Sequence, residues 1–164
     1  MDTVEKNLKF KIIKNILTPV ELEIIKEYLK YKHINNLDSF DEKQSNNYDT
    51  CFYKDALIQT FLLKKQKIIE KAISKDLLPT YSFFRLYTYN AELKKHTDRP
   101  ACEISITACI KKYDNWPIVI EKNKFELEEG DAVLYAGCKQ SHFRPGKYKG
   151  KGMAQVFFHY VNQN

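Results

Sequence analysis

His96 and Asp98 stand two residues apart, with Thr97 between them. On an extended segment, residues i and i+2 point to the same face. The pair can therefore offer an imidazole nitrogen and a carboxylate oxygen to one ion. A third ligand must come from another strand, and His142 opens a later one. Two histidines and one carboxylate cover one face of an octahedral metal and leave the other positions open. A closed site can only be structural, whereas an open one can take a co-substrate and dioxygen. His-x-Asp alone is a weak signal, because a chain with four histidines can carry such a pair by chance or as a surface couple. The other two histidines have no such setting. His33 lies in a polar stretch, and His159 sits in an apolar strand as Phe-His-Tyr, where a structural role is the simpler reading.

Strands must carry these ligands, and the sequence supplies them in its second half. Residues 7–15 alternate loosely and read as a first strand. Thr18–Pro19 with Glu21 is a helix start: Thr caps, Pro occupies the first helical position, and the acid falls in the first turn. Leu22, Ile25, Tyr28 and Leu29 then repeat at helical spacing over about 19–31. Residues 33–50 are polar and rich in Asn and Asp, as expected of a loop that closes over a site as a lid. Ala56, Leu57, Phe61, Ile68, Ile69 and Ile73 stripe a second helix at about 54–75. After Pro79 the period changes. Segments 81–89, 103–110, 117–121, 131–136, 140–144 and 153–161 are short and rich in β-branched or aromatic residues, hence strands. Trp116–Pro117 opens one of them, where proline is tolerated. The expected fold is mainly β with flanking helices, in a single domain over 1–164: helical support to about 78, and a barrel or sandwich from about 79.

Residues 81–98 read YSFFRLYTYNAELKKHTD, and 131–144 read DAVLYAGCKQSHFR, followed by the apolar strand AQVFFHYV. In order, these give Arg85-Leu86-Tyr87, a turn near Asn90–Ala91, His96/Asp98, Gly130–Asp131 and His142. This set resembles the prolyl 4-hydroxylase-like branch of the Fe(II)/2-oxoglutarate oxygenases over about residues 79–161. The resemblance implies a double-stranded β-helix, or jelly roll, with Fe(II) held by His96, Asp98 and His142. It implies 2-oxoglutarate as co-substrate, chelating iron through its 1-carboxylate and 2-oxo group, with O₂ consumed and ascorbate supporting turnover. The 5-carboxylate then needs a cation, in the family an Arg or Lys on the last strand nine or ten residues beyond the distal histidine. Lys151 has that spacing; Arg144 shares inward parity with His142, and its planar fork suits a carboxylate. Both stay open, with Arg144 slightly preferred because its parity does not depend on loop length. Tyr87 matches a position where the family places a hydroxyl near the co-substrate, with Tyr89 as its rival, and Thr107 has the parity to line the pocket. Leu93 stands where many relatives carry a Tyr, so that pocket edge is less polar here. Family analogy favours hydroxylation of a protein or peptide side chain, proline first.

Composition narrows the alternatives. Net charge is +6 with scattered lysines and no run of five like charges, which fits solubility better than a nucleic-acid footprint. The segment after His142 lacks the arginine-rich pattern of oxidative demethylases, so nucleic acid is disfavoured and a small-molecule substrate stays open. A silent jelly-roll binding module would have no need of all three ligands. Arg99 and Glu103 could pair near the entrance of the site, with a solvated charge couple the preferred reading. No apolar run reaches membrane-spanning length, lysines interrupt any export signal, and the four cysteines form no CxxC pair. A cytoplasmic protein with reduced thiols and no membrane partner is expected.

Overall fold

The computed structural model describes residues 10–34 and 49–163. In chain order the elements are β1 (Lys11–Ile13), α1 (Pro19–Ile34), β2 (Asp49–Tyr53), α2 (Ala56–Ile73), β3 (Leu77–Tyr87) and β4 (Leu93–His96). They continue with a 3₁₀ turn (Pro100–Cys102), β5 (Ile104–Lys112), β6 (Ile118–Ile120), β7 (Asn123–Phe125), β8 (Ala132–Tyr135), β9 (His142–Arg144) and β10 (Met153–Asn162). One sheet has the order β1-β8-β5-β10-β3-β2 and the other β4-β9-β6-β7, with every pairing antiparallel. This is the expected jelly roll with two supporting helices.

Strand alternation gives the larger sheet two different faces. One row, Phe84, Val156, Ala108 and Ala132, packs with Ile25, Leu62 and Ile69 of the helices. The opposite row, with Arg85, Gln155 and Cys109 in register, faces the smaller sheet. The helices are tied down by their own ends. Thr18 and Glu21 form a reciprocal capping box: Glu21 N donates to Thr18 Oγ1 (3.3 Å), and Thr18 N donates to Glu21 Oε2 (2.8 Å). Asp55 caps α2 through Leu57 N and Ile58 N, and also accepts from Tyr28 Oη and Lys32 Nζ of α1.

Four details differ from the expectation. β2 occupies the end of the stretch read as a loop; it is an edge strand paired with β3. β3 starts before Pro79, which is tolerated because β2 ends opposite Phe83 and the β10 register shifts between His159 and Tyr160. β4 and β7 are additional strands. His33 closes α1 rather than lying in a loop. Residues 35–48, most of the lid segment, lie outside the described residues. No helix among the described residues is long and apolar enough to cross a membrane.

Candidate metal centre and active-site cavity

The end of β4 and the start of β9 lie side by side, with His96 opposite His142 in register. Asp98 follows two residues after the end of β4, and its backbone N donates to Gly137 O (2.9 Å). The structure thereby brings the three predicted ligands together. Each offers one ligand atom, and these atoms lie within 4.8 Å of one another. His96 Nε2 is 3.6 Å from Asp98 Oδ1, and His142 Nε2 is 3.4 Å from the same oxygen. Ligand bonds of about 2.0–2.2 Å put neighbouring ligands roughly 3 Å apart, so a small contraction suffices to close on an ion.

The outer contacts assign the protons. His96 Nδ1 lies 2.6 Å from Lys94 O, and His142 Nδ1 lies 2.9 Å from Gln140 O. A carbonyl only accepts, so both Nδ1 atoms donate and, in the neutral rings, both Nε2 atoms are left as bare lone pairs. Two bare nitrogens and a carboxylate facing one another form a donor set that fits a divalent cation. Burial, followed by the neighbouring His142, holds the His96 pKa below its usual value, which favours the neutral ligand form. Burial works to raise the Asp98 pKa, and hydrogen bonding and charge from its histidine neighbours, in their protonated form, more than offset it.

The second oxygen of Asp98 is also fixed. Ser105 Oγ donates to Asp98 Oδ2 (3.0 Å) and lies 3.0 Å from His159 Nδ1. With the single Ser105 proton directed to the carboxylate, His159 Nδ1 donates to Ser105. Gly137 packs on this group: a Cβ there would collide with Ser105 Oγ and stand 2.5 Å from Asp98 Oδ2. Asp98, Cys102 and His159 also cluster. However, burial raises the Cys102 thiol to about 12, outweighing the hydrogen bond with Tyr81 Oη (3.0 Å) that works to lower it, so the thiolate a metal requires is disfavoured. All four cysteines are free.

A cavity of about 360 Å³ opens over the triad. Tyr81, Phe83, Phe157 and His159 form an aromatic wall, and Arg85 and Arg99 bring positive charge. Arg85 is 2% exposed. Of the residues expected to hold 2-oxoglutarate, none lines this cavity. Arg144 is buried with the inward parity expected of it, but its guanidinium packs beside the Tyr87 and Trp116 rings and donates to Trp116 O. Its Nε and Gln155 Oε1 are buried without hydrogen-bond partners and line a separate void of about 10 Å³, the volume of one water. Tyr87 is buried between these arginines, 5.8 Å from Arg85 Cζ and 5.6 Å from Arg144 Cζ. Thr107 Oγ1 is hydrogen-bonded to Tyr135 Oη (3.1 Å), and it is Tyr135 that reaches the cavity, its ring 4.8 Å from that of His142. Lys151 is exposed in the turn before β10, where flanking glycines let it face solvent. Tyr89 is 55% exposed, and Leu93 forms an apolar edge.

β10 reads MAQVFFHYVN and carries no Lys or Arg, so the cation that the resemblance led us to expect on the last strand is not there. The neighbouring strand β3 carries a buried cavity-lining cation, Arg85, directly across from Gln155. Arg85 was visible as part of Arg-x-Tyr, but no spacing rule marked it as a cavity residue. Arg99 does not pair with Glu103, which accepts from Asn162 N and Nδ2. Asp131, the acid of Gly130–Asp131, holds Lys14 Nζ and Asn15 N and so clamps the N-terminal segment onto β8.

No family model matches the chain, and no curated protein matches it in sequence. Solved structures do share its fold. A prolyl-4-hydroxylase from Pseudomonas putida superposes with a TM-score of 0.71 at 11% identity, over 98% of both chains. The viral collagen prolyl hydroxylase of Paramecium bursaria Chlorella virus-1, solved as a 2-oxoglutarate complex, gives 0.70 at 12% identity, over 96% of this chain and 98% of that one. HygX from Streptomyces hygroscopicus, solved with nickel, 2-oxoglutarate and hygromycin B bound, gives 0.71 at 10%, over 93% and 82%. The fold is therefore the jelly roll shared by 2-oxoglutarate–Fe(II) oxygenases, prolyl 4-hydroxylases among them.

Proposed function

We propose that this chain is an Fe(II)- and 2-oxoglutarate-dependent dioxygenase. The observation that carries the reading is the convergence of His96 Nε2, His142 Nε2 and Asp98 Oδ1, with both imidazole protons turned away, at the floor of a cavity holding a buried cation. His96, Asp98 and His142 hold the metal. Bound iron and 2-oxoglutarate supply the oxidising chemistry, in which dioxygen is consumed, the co-substrate is converted to succinate and CO₂, and a substrate carbon is hydroxylated. The protein's work is positional. Lys94 O and Gln140 O orient the imidazoles, Ser105 and His159 orient Asp98, and the aromatic wall excludes water from the reacting carbon.

For the distal carboxylate of 2-oxoglutarate we place Arg85 ahead of Arg144 and Lys151, because Arg85 is the buried cation that shares a cavity with the triad. Tyr135 lines the cavity with Thr107 hydrogen-bonded behind it, and Tyr87 packs against Arg85 from outside the cavity. Losing a buried charge-assisted partner costs roughly 2–5 kcal/mol, or about 30-fold and upward in affinity. The test compares the KM for 2-oxoglutarate in Arg85→Ala, Arg144→Ala and Lys151→Ala, with iron binding measured alongside. A large rise confined to Arg85→Ala supports the assignment. A rise confined to Arg144→Ala moves the anchor to β9, three unchanged values exclude all three residues as the anchor, and no turnover of 2-oxoglutarate by the iron-loaded wild type removes it from the proposal. Family analogy favours a protein side chain such as proline as substrate. The relatives in fold also include HygX, solved with hygromycin B bound, which supports a small molecule as the second reading.

A further inference from the structure

Arg99 follows the carboxylate ligand directly and lies at the mouth of the cavity. Its position is built rather than loose. The guanidinium lies 4.5 Å from the Tyr81 ring centroid and 5.4 Å from that of Tyr53, and Nε donates to Tyr81 Oη (3.2 Å). Tyr81 is itself buried, stacked on His159 and hydrogen-bonded to Cys102. Both terminal nitrogens of Arg99 are left to donate elsewhere; among the described residues no carboxylate pairs with them. Lys54 Nζ adds a second cation over the Tyr53 ring, at 5.4 Å.

Among the described residues, Arg99 is a cavity-lining cation with no carboxylate partner. A cation held by two aromatic rings beside an apolar wall matches an anion whose body is apolar, and a planar fork binds carboxylate or phosphate oxygens in pairs.

We infer that the substrate carries a carboxylate or phosphate that Arg99 grips at the cavity mouth, while its apolar part lies against Tyr81, Phe83 and Phe157. The inference rests on the oxygenase reading, and the test separates the two. The protein is loaded with zinc in place of iron and with 2-oxoglutarate, and the binding of each is recorded. Benzoate, phenyl phosphate and benzamide are then titrated by calorimetry. At least one of the two anions should bind tenfold or more tightly than benzamide, and their order distinguishes carboxylate from phosphate. Arg99→Gln should close that gap and Arg99→Lys should keep part of it, with unfolding midpoints confirming that each variant is folded. Equal binding of benzoate, phenyl phosphate and benzamide, no anion binding, or a gap untouched by Arg99→Gln overturns the inference. A gap closed by Arg85→Gln alone places the anion on the co-substrate position and overturns it too. If zinc and 2-oxoglutarate fail to bind, the oxygenase reading falls, and the same titration of the metal-free protein still decides the role of Arg99.

Discussion

His159 shows how a residue with an unremarkable setting in sequence gains a role through its contacts. It lies in β10 facing the cavity, against the Tyr81 ring and beside Ser105. Burial holds its pKa down to about 4. The unfolded chain takes up this proton near pH 6.5, so between there and about 4 it binds a proton that the folded chain refuses. Stability therefore falls as the pH drops through that window, by about 3 kcal/mol at 1.36 kcal/mol per unit. His159→Gln has no such proton. Urea unfolding of the metal-free proteins should show the wild type losing about 3 kcal/mol relative to this variant between pH 6.5 and 4; a difference that stays constant contradicts the buried neutral imidazole. His96 and Asp98 were readable as a pair because two-residue spacing fixes a common face on extended chain, and His142 joined them through the resemblance. Ser105, Gly137 and Arg99 were not, because a serine in a strand, a glycine in a loop and a surface arginine carry no spacing that points at a partner 7 to 39 positions away.

At the scale of elements, the two supporting helices are tied to each other by a buried ion pair. Lys65 of α2 donates to both oxygens of Glu21 (2.8 and 2.6 Å), the same acid that closes the capping box of α1. Lys65 is 3% exposed. Lys65→Ala strands the Glu21 carboxylate and should cost about 3–5 kcal/mol, whereas changing Lys65 and Glu21 together to Met and Leu should cost much less. Chemical denaturation of the two variants measures this, and equal losses would show that the pair is not coupled. The start of α1 was legible because Thr-Pro-Val-Glu satisfies a helix end locally. β2 and β4 were not. β2 emerges from a polar stretch, and its five residues form a strand because β3 offers a free edge. β4 reads Leu-Lys-Lys-His, and its irregular pairing with β9 is set by the opposition of His96 and His142 rather than by propensity.

At the scale of the whole molecule, the architecture is retained at 10–12% identity over nearly the full chain, while the side chains inside it have changed. Sequence periodicity marked helices in front of a strand-rich barrel or sandwich, and the resemblance implied the jelly roll. The lining of the cavity could not be read in advance, since only sheet register shows that Arg85 sits opposite Gln155. The same fold hosts many substrates, so activity has to be established on this chain's own residues. The direct test is succinate formation from 2-oxoglutarate by the purified protein with Fe(II), ascorbate and air, compared with His142→Ala and with anaerobic and iron-free controls. Succinate that requires iron and dioxygen and is abolished by His142→Ala is the predicted result. Turnover undiminished in that variant, or none from a wild-type protein that has bound iron and 2-oxoglutarate, would contradict the account.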